Sequence, residues 1–444
     1  MKDISCAVEK NKKLILEAER YIWNNPETGY KEFKTSKYMK ERFAELGYDV
    51  IEADGITGFY TVTDTGREGP ELLILGELDS IICPAHPDAD PETGAVHSCG
   101  HNAQCAALLG VAAALREPGV LDKLSGRIRL AAVPAEELLE LEYRRELREK
   151  GIIEFFGGKP EFLSRGYFDG VDLAFMVHTS GSYSVKPSAV GCVAKNITYK
   201  GVAAHAGGSP WAGKNALYAA TCGINAVNAI RETFKESDVI RFHPIITKGG
   251  DMVNAIPEQV RIESYVRGLS FDAIKTENEK INRALCGAAL SIGTNVDIVD
   301  IPGYAPLENS VDMIEVAKDA MALALPDIKF TVWDTPSSGS TDMGDLSCIM
   351  PVVHPYAGGA VGKAHGNDYY ISDPTAACVD CAKWQMAMVL LLLGNGAERA
   401  KNIVKNFKPQ FASKDEYLNY LREFNSSGDR ISYNEDGTAT VCIK

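Results

Sequence analysis

The chain has 444 residues, of which 45% are hydrophobic, and an excess of acidic side chains gives it a formal net charge of -14. A chain of this length can bury a substantial core and is long enough for two or three domains. Its acidity argues against a nucleic-acid-binding surface and against a basic membrane-surface helix, because both need clustered Lys and Arg. We therefore expect neither a nucleic acid nor a membrane as a partner.

The sequence predicts neither a membrane span nor a signal peptide. The longest apolar runs, 106–115 and 386–393, are shorter than the roughly 20 residues that a span needs. The start, MKDISCAVEKNKKL, carries charges where a signal peptide would be apolar. The 11 cysteines are odd in number and irregularly spaced, so most are expected to be reduced and buried. We expect a cytoplasmic protein.

The first third of the chain alternates helix and strand signals, which is typical of an α/β fold. A helix over 8–23 is expected to stop before Pro26, and a second helix to end at Gly47. The apolar run 71–79 predicts a buried parallel strand with Asp79 at its carboxyl end. The Ala/Leu-rich segment 103–116 predicts a helix, with Asn102 as its N-cap.

Two further strands precede residues that can bind a metal. The strand 127–133 leads through Pro134 into Glu136 and Glu137, and the strand 172–177 leads into His178. Ligands of open α/β sheets bind outside the carboxyl ends of the strands. We expect these residues to share one sheet edge.

The middle of the chain has a different pattern from about residue 189. Strands over 192–199, 238–247, 259–266 and 295–300 and helices over 214–233 and 270–291 give the order β-α-β-β-α-β. This order predicts an inserted ferredoxin-like domain over 189–301. Helix and strand signals then resume, so 1–188 and 302–444 are expected to form one discontinuous catalytic domain with a mostly parallel sheet flanked by helices.

The residues at the sheet edge favour a metal centre. A thiolate, imidazoles and carboxylates are all ligands of divalent cations, and the chain places Cys99, His101, Glu136, Glu137 and His178 near these strand exits. Either pair alone, Cys-x-His or Glu-Glu, is a weak signal. Together the acidic groups would repel one another unless cations lay among them.

In these motifs the chain resembles peptidase family M20, which includes hippurate hydrolases, indole-acetyl-amino-acid hydrolases and p-aminobenzoyl-glutamate hydrolase. With a cysteine among its candidate ligands, the chain resembles the amidohydrolase branch of that family rather than the dipeptidase branch. The resemblance covers most of the chain through seven motifs in order: 25–32, 99–101, 134–137, 205–210, 254–257, 339–345 and His365.

The resemblance implies roles for particular residues. The ligands of a two-metal centre would be Cys99, His101, Glu137, His178 and His365. Glu136 would be the general base, and His205, contributed by a partner subunit, would stabilise the oxyanion. The inserted domain would then be a lid and dimerisation domain, and the protein a homodimer or higher homo-oligomer.

The resemblance also implies a reaction and its cofactors. Two divalent ions, Zn or Mn and otherwise Co or Ni, can activate a shared water for attack on an amide. Glu136 would then move the proton to the departing amine. Arg267 and Asn254 are the candidates for binding a substrate carboxylate.

Some residues depart from the branch or have supporting roles. The family usually follows Cys-Gly-His with Asp and, two positions later, His, where this chain has Asn102 and Gln104. Asp79 is predicted to orient a ligand, and Asp342 and Asp345 to support the site. The segment 138–170 is longer and more charged than expected of the branch, and we expect it to shape the pocket.

Three functions stay open. The leading hypothesis is hydrolysis of an N-acyl or N-aroyl amino acid or a related small amide. A dipeptidase or carboxypeptidase is the second possibility, although no dedicated acidic pocket for a free amine is evident. The third is a metal-binding homologue without hydrolytic activity, which Asn102 and Gln104 suggest and the presence of Glu136 opposes.

Overall fold

We describe the fold from a computed structural model, which covers the backbone of residues 2–443 and the side chains of residues 3–443. The chain divides into two compact units. The first runs to Ser188 and takes in Leu307–Ser337 and Thr341–Lys414. The second contains Ala189–Pro306, Ser338–Ser340 and the chain from Asp415 onward. Met1 and Lys444, which belong to the predicted catalytic domain, lie outside the described residues.

The described residues form helices and strands that alternate along much of the chain. The helices are α1 Lys2–Lys10, α2 Lys12–Trp23, α3 Phe33–Glu45, α4 His101–Leu115, α5 Leu141–Glu149, α6 Gly158–Ser164, α7 Ala216–Ile230, α8 Phe271–Ile292, α9 Val311–Ala324, α10 Met343–Ser347, α11 Cys381–Leu393, α12 Glu398–Asn406 and α13 Lys414–Glu423. The principal strands are β1 Ile51–Glu52, β2 Phe59–Asp64, β3 Glu71–Glu77, β4 Arg127–Val133, β5 Leu173–Phe175, β6 Gly191–Lys200, β7 Arg241–Phe242, β8 Ile245–Lys248, β9 Gln259–Gly268, β10 Asn295–Tyr304 and β11 Val352–Val353.

The first unit is built on a six-stranded sheet with the order β1-β2-β4-β3-β5-β11. The last four strands in this order are parallel to one another, whereas β1 and β2 are antiparallel to their neighbours. Every residue of β3 is buried, as expected for a strand covered on both faces. Glu77 pairs with Val133 at the ends of β3 and β4, so the residues that follow both strands leave the sheet at the same edge. The predicted mixed α/β fold is confirmed.

Helices α4 and α11 form much of the core beside this sheet. All residues of α4 are buried, which explains why its sequence lacks a polar face. A six-residue π-helix, Thr375–Asp380, leads into α11, and Thr375–Leu393 is long and apolar enough to cross a membrane. The sequence analysis expected every apolar segment to be shorter than a membrane span, and the length of this helix corrects that expectation. Most of this helix is buried inside the first unit, which accounts for its composition.

The second unit is an antiparallel sheet packed against two long helices. The strand order is β7-β9-β6-β10, with β8 also paired to β9, and α7 and α8 pack against one another and the sheet. The elements follow the order β-α-β-β-β-α-β, which differs from the predicted β-α-β-β-α-β because two short strands, β7 and β8, stand where one strand over 238–247 was expected. Helix α8 has a regular start, because the Ser270 side chain accepts a hydrogen bond from the amide of Ala273.

The structure changes the predicted boundary between the two units. The second unit continues to Pro306, and it also contains the chain from Asp415, which the sequence analysis placed in the catalytic domain. The C-terminal segment hydrogen-bonds along β10: Ser426 pairs with Asp300, and the Ile431 carbonyl accepts from the Asn295 side chain. Hydrogen bonding between segments so distant in the chain leaves no local signal in a sequence.

Candidate metal centre

The candidate site lies where β3 and β4 leave the sheet of the first unit. Glu77 ends β3 and Asp79 follows it, while Pro134, Ala135 and Glu136 follow β4. His178 begins a short strand that pairs in parallel with Tyr356–Ala357. The residues that follow β3 and β4 therefore lie at the same edge of the sheet.

Gly100 shapes the start of helix α4 between two candidate ligands. Its φ of +91° is in the left-handed region that favours glycine, and the helix begins directly at His101. The predicted N-cap, Asn102, is therefore wrong, because the N-cap position is occupied by Gly100. The side-chain amide of Asn102 instead donates to Glu19 Oε1 at 2.8 Å. The departure from the branch at this position thus faces α2, away from His101.

His101 is oriented by Asp79. Its Nδ1 lies 2.9 Å from the Asp79 carbonyl oxygen and 3.3 Å from Asp79 Oδ1. The other oxygen, Asp79 Oδ2, accepts a hydrogen bond from the Glu137 amide at 2.8 Å. Asp79 thus contacts two candidate ligands, and Nδ1–H donation directs His101 Nε2 toward the site, an arrangement typical of metal-binding histidines.

Cys99 belongs to two groups of potential ligand atoms. One contains Cys99, His101 and His178, and the other contains Cys99, Glu137 and His365; within each group the ligand atoms lie within 4.8 Å of one another. Cys99 Sγ is 3.5 Å from His178 Nε2, and Glu137 Oε1 is 2.9 Å from His365 Nε2. The structure therefore brings together all five predicted ligands around one shared sulfur.

His365 is held in a strained conformation. Its φ of +63° is unusual for a residue with a Cβ, and its amide donates to the Ser98 carbonyl oxygen at 2.8 Å. The side chain is 52% exposed, whereas those of His101 and Glu137 are buried. Such strain is often found at functional sites.

The electrostatics of the site favour an ionised thiol at Cys99 and an ionised carboxyl group at Glu137. Burial and the Glu137 carboxylate oppose ionisation of Cys99, but the imidazoles of His101 and His178 outweigh them and lower its pKa to about 6. Burial likewise opposes ionisation of Glu137, but contact with His365 lowers the pKa of this carboxyl group to about 2. A contact with Cys99, followed by the same contact with Glu137, raises the pKa of His365 to about 11.

Glu136 has a different environment from its neighbour. Its Oε2 lies 3.9 Å from His101 Nε2, and the residue is buried. Burial, followed by the negative charges of Glu77 and Glu137, raises its pKa well above the ordinary value of a glutamate. Two adjacent carboxyl groups with opposite pKa shifts are suited to different roles, one as a ligand and one in proton transfer.

The donor set fits divalent cations. His101 Nε2 and Glu137 Oε1 are buried, and each faces another potential ligand atom, Glu77 Oε2 at 3.2 Å and His365 Nε2 at 2.9 Å. Buried ligand atoms gathered in this way are stabilised when a cation lies among them. A thiolate, imidazole nitrogens and carboxylate oxygens suit Zn²⁺, and the carboxylates also suit Mn²⁺.

Two residues beside the candidate ligands, Glu77 and Lys159, were missed by sequence reasoning. Glu77 Oε2 lies 3.2 Å from His101 Nε2, and Glu77 forms a further potential metal-binding group with His101 and Glu136. Gln104 donates to this carboxylate at 3.1 Å, and the buried Lys159 lies 2.5 Å from its other oxygen. The position of Glu77 at a strand exit could have identified it, whereas Lys159 comes from a segment without any recognisable motif.

The other three predicted site residues lie in the second unit. His205 is exposed, and its Nδ1 accepts from the amides of Gly207 and Gly208 at 3.1 and 2.9 Å. Asn254 is also exposed, and its carbonyl accepts from the Ala206 amide beside His205. Arg267 is half-buried and donates to Ser340 Oγ at 3.2 Å.

Comparisons with known proteins agree with this chemistry. Residues 75–390 match peptidase family M20/M25/M40. The chain is 31% identical to the Xaa-Arg dipeptidase of Mus musculus, over 76% of this chain and 74% of that protein. It is 26% identical to the indole-3-acetyl-aspartic acid hydrolase of Enterobacter agglomerans, over 63% and 72% of the two chains. A dinuclear metal-binding peptidase of the M20 family from Bacillus subtilis superposes with a TM-score of 0.63 at 19% identity, covering 87% of this chain and 99% of that one.

The fold, the donor set and the extent of the family match together define the class of the protein. It is a metal-dependent hydrolase that acts on amide bonds. The chain belongs to peptidase family M20/M25/M40, which confirms the resemblance noted from its motifs.

Proposed function

We propose that the protein hydrolyses the amide bond of an N-acyl or N-aroyl amino acid, using two divalent ions per subunit. The observation that carries this proposal is the position of Cys99, which is common to two groups of ligand atoms. Cys99, His101, Glu137, His178 and His365 would hold the ions. When bound, such ions polarise an amide carbonyl and lower the pKa of a water.

Glu136 performs the proton transfer in this proposal. Its carboxylate takes a proton from the attacking water and delivers it to the amine that leaves. Its burial favours this role, because exclusion of bulk water keeps the proton between the carboxyl group and the substrate. Asp79 and the strained backbone of His365 keep the ligand side chains in place beside it.

The second unit is assigned the lid and dimerisation roles. We propose that His205, contributed by a partner subunit, stabilises the oxyanion, and that Arg267 and Asn254 bind the substrate carboxylate. The second unit exposes several large apolar side chains, including Trp211, Ile245, Ile246 and Met252. Exposed apolar groups of this kind favour association, so a homodimer is proposed.

The native metal is proposed to be Zn²⁺ or Mn²⁺, with Co²⁺ or Ni²⁺ as alternatives, because a thiolate and imidazoles are combined with carboxylates. A cytoplasmic location is proposed from the cysteines, none of which is in a disulfide within the described residues.

A second candidate is a dipeptidase that prefers a basic C-terminal residue. It is favoured by the similarity to the Xaa-Arg dipeptidases of Mus musculus and Homo sapiens, at 31% and 30% identity. The net charge of -14 would also attract a cationic substrate more strongly than an anionic one.

Matched substrate pairs separate the two candidates. The purified chain is stripped with a chelator, reloaded separately with Zn²⁺, Mn²⁺ or Co²⁺, and assayed on N-acetyl-X and Ala-X, where X is Arg, Asp or Leu. The first proposal predicts a kcat/KM at least tenfold higher for the N-acetyl member of each pair. A preference for Ala-Arg would favour the dipeptidase. Cleavage of neither member by a protein with two bound ions would contradict both and favour the third class, a homologue without hydrolytic activity.

A further inference from the structure

The segment 138–170, which the sequence analysis expects to shape the pocket, contains two fully buried cations. Arg144 of α5 is 1% exposed, and Lys159 of α6 is 0% exposed. A buried cation is costly unless its hydrogen bonds are completed by well-placed acceptors. Two acceptors of Arg144 flank Glu136 in the sequence, and Glu77, an acceptor of Lys159, forms a potential metal-binding group with Glu136 and His101.

Arg144 binds the backbone that carries the two catalytic glutamates. Its guanidinium donates to the carbonyl oxygen of Glu137, to that of Phe156 at 2.6 Å and, more weakly, to that of Ala135 at 3.4 Å. These bonds reach the residues directly before and after Glu136. The planar guanidinium can make several such bonds at once, which an ammonium cannot.

The turn that Arg144 contacts is conformationally strained. Ala135 has a φ of +56°, a region that residues with a Cβ seldom adopt. Its amide donates to the buried Glu32 Oε1 at 2.8 Å, and its carbonyl accepts from the Gly158 amide at 3.3 Å. A strained conformation persists only where surrounding groups impose it.

Lys159 acts through a different group, the carboxylate of Glu77. Its ammonium contacts Glu77 Oε1 at 2.5 Å and also pairs with Asp342. Gln104 bonds both the amide of Glu77, at 2.6 Å, and its Oε2, at 3.1 Å. The carboxylate of Glu77 is therefore fixed where its Oε2 faces His101 Nε2 and Glu136.

The geometry points to Arg144 and Lys159 as positioning residues that clamp Glu136 between its own turn and Glu77. We call this pair the cation clamp. Arg144 holds the strained turn, and Lys159 holds the carboxylate that this turn faces. The inference rests on the amide hydrolysis proposed above, and it assigns a role to the charged segment that the family motifs do not cover.

The test uses three variants of the full chain and two matched controls. Arg144→Met and Lys159→Met each remove one member of the clamp, and Arg144→Lys keeps the charge with fewer donors. Arg145→Met is the control on the same helix, because the side chain of Arg145 is 37% exposed and its ion pairs with Glu142 and Glu149 are long, at 3.8 and 3.6 Å. Lys195→Met is the control for burial, because Lys195 of the second unit is buried among Asn278, Asn282 and Asp300.

Two readouts are needed, and one is independent of turnover. Hydrogen exchange of peptides covering 134–140 is expected to be at least tenfold faster in Arg144→Met, intermediate in Arg144→Lys and unchanged in both controls. In the metal-saturated protein, kcat per folded chain is expected to fall about 100-fold for Arg144→Met and for Lys159→Met, with KM changed less than threefold. Arg144→Lys should recover part of the loss, and the controls should stay within twofold.

Each outcome decides the inference. Unchanged exchange over 134–140 in Arg144→Met would overturn it, as would faster exchange with an unchanged kcat, which would indicate a purely structural role. If Arg144→Met does not fold, the exchange over 134–140 in Arg144→Lys and the kcat of Lys159→Met decide instead. Unchanged exchange in the first variant, or an unchanged kcat in the second, would overturn the inference. If the unaltered chain cleaves no amide, the proposed function fails, and the clamp is judged by exchange together with the rate of metal release to a chelator. That rate should rise at least tenfold in Arg144→Met, because Glu137 lies on the clamped turn.

Discussion

Glu136 is the residue on which the proposed reaction depends most. It is buried beside His101 but belongs to neither of the groups that contain Cys99. Replacement by Gln keeps the shape of the side chain and removes its ability to accept a proton. We expect Glu136→Gln to lower kcat by roughly 10²- to 10⁴-fold, the usual contribution of a general base.

Metal binding should survive this change, because the candidate ligands are intact. The measurement is kcat together with the number of ions per chain, determined by elemental analysis. Glu142→Gln, a half-exposed glutamate of the nearby helix α5, is the control and should keep its activity. A Glu136→Gln protein with normal turnover would remove Glu136 from the mechanism.

Glu32 gives the molecule a pH dependence that can be measured without a substrate. Burial and then the charge of Asp79 raise its pKa from 4.5 to about 8, although Thr57 and the Ala135 amide donate to it. The folded state therefore binds this proton more tightly than the unfolded chain does. This contribution to stability is fully present below about pH 4.5 and is lost as the pH rises toward about 8.

Glu32→Gln is neutral at every pH and should not lose this contribution. We expect the difference in free energy of unfolding between Glu32→Gln and the unaltered chain to shift in favour of the variant as the pH rises from 5 to 8, by up to about 1.4 kcal/mol per pH unit. Urea unfolding at several pH values measures this difference, in which groups common to both proteins cancel. A difference that does not vary with pH would contradict the assignment.

At the scale of elements, the start of α4 determines the spacing of Cys99 and His101. Gly100 combines a φ of +91° with close packing, since a Cβ there would overlap the hydroxyl of Tyr369 and approach Thr179. We expect Gly100→Ala to reduce the number of bound ions and to lower stability by more than the roughly 1–2 kcal/mol of a left-handed alanine alone.

Gly119→Ala isolates the conformational part of that cost. Gly119 has a φ of +78°, and a Cβ there would have no neighbour within 4 Å. Calorimetry and elemental analysis of the two variants give the comparison. Equal loss of stability and unchanged metal content in Gly100→Ala would show that the packing at this position is not needed for the site.

The sequence predicts those elements whose signals are local. Strands β3 and β4 are long apolar runs with polar exits, so their positions and the residues that follow them could be predicted. The start of α4 could not, because Asn102 looks like a cap but bonds to Glu19, 83 positions earlier in the chain. Lys159 and the C-terminal segment were missed for the same reason, since their partners are distant in sequence.

At the scale of the whole molecule, the exposed apolar side chains of the second unit suggest association. Strand β8 pairs only with β9 in the part of the chain that the structure describes, and its Ile245 and Ile246 are 53% and 44% exposed. Exposed edge strands of this kind are prone to pair with another chain. We expect Ile246→Glu to convert a dimer into a monomer.

Sedimentation measures the mass of this variant, and Ile246→Val, which keeps the surface apolar, is its control. If His205 acts from a partner subunit, the monomer should also lose most of its kcat. A variant that remains dimeric would place the interface elsewhere, and a fully active monomer would exclude a contribution of His205 from the partner.

The central claim is that five side chains of the first unit hold two ions around Cys99. Anomalous diffraction from crystals grown with Zn²⁺ tests this claim most directly. The account predicts two peaks roughly 3.5–4 Å apart, with Cys99 Sγ close to both and with His101, His178, Glu137 and His365 as the remaining ligands. Peaks elsewhere in the molecule, or no peak beside Cys99, would contradict it.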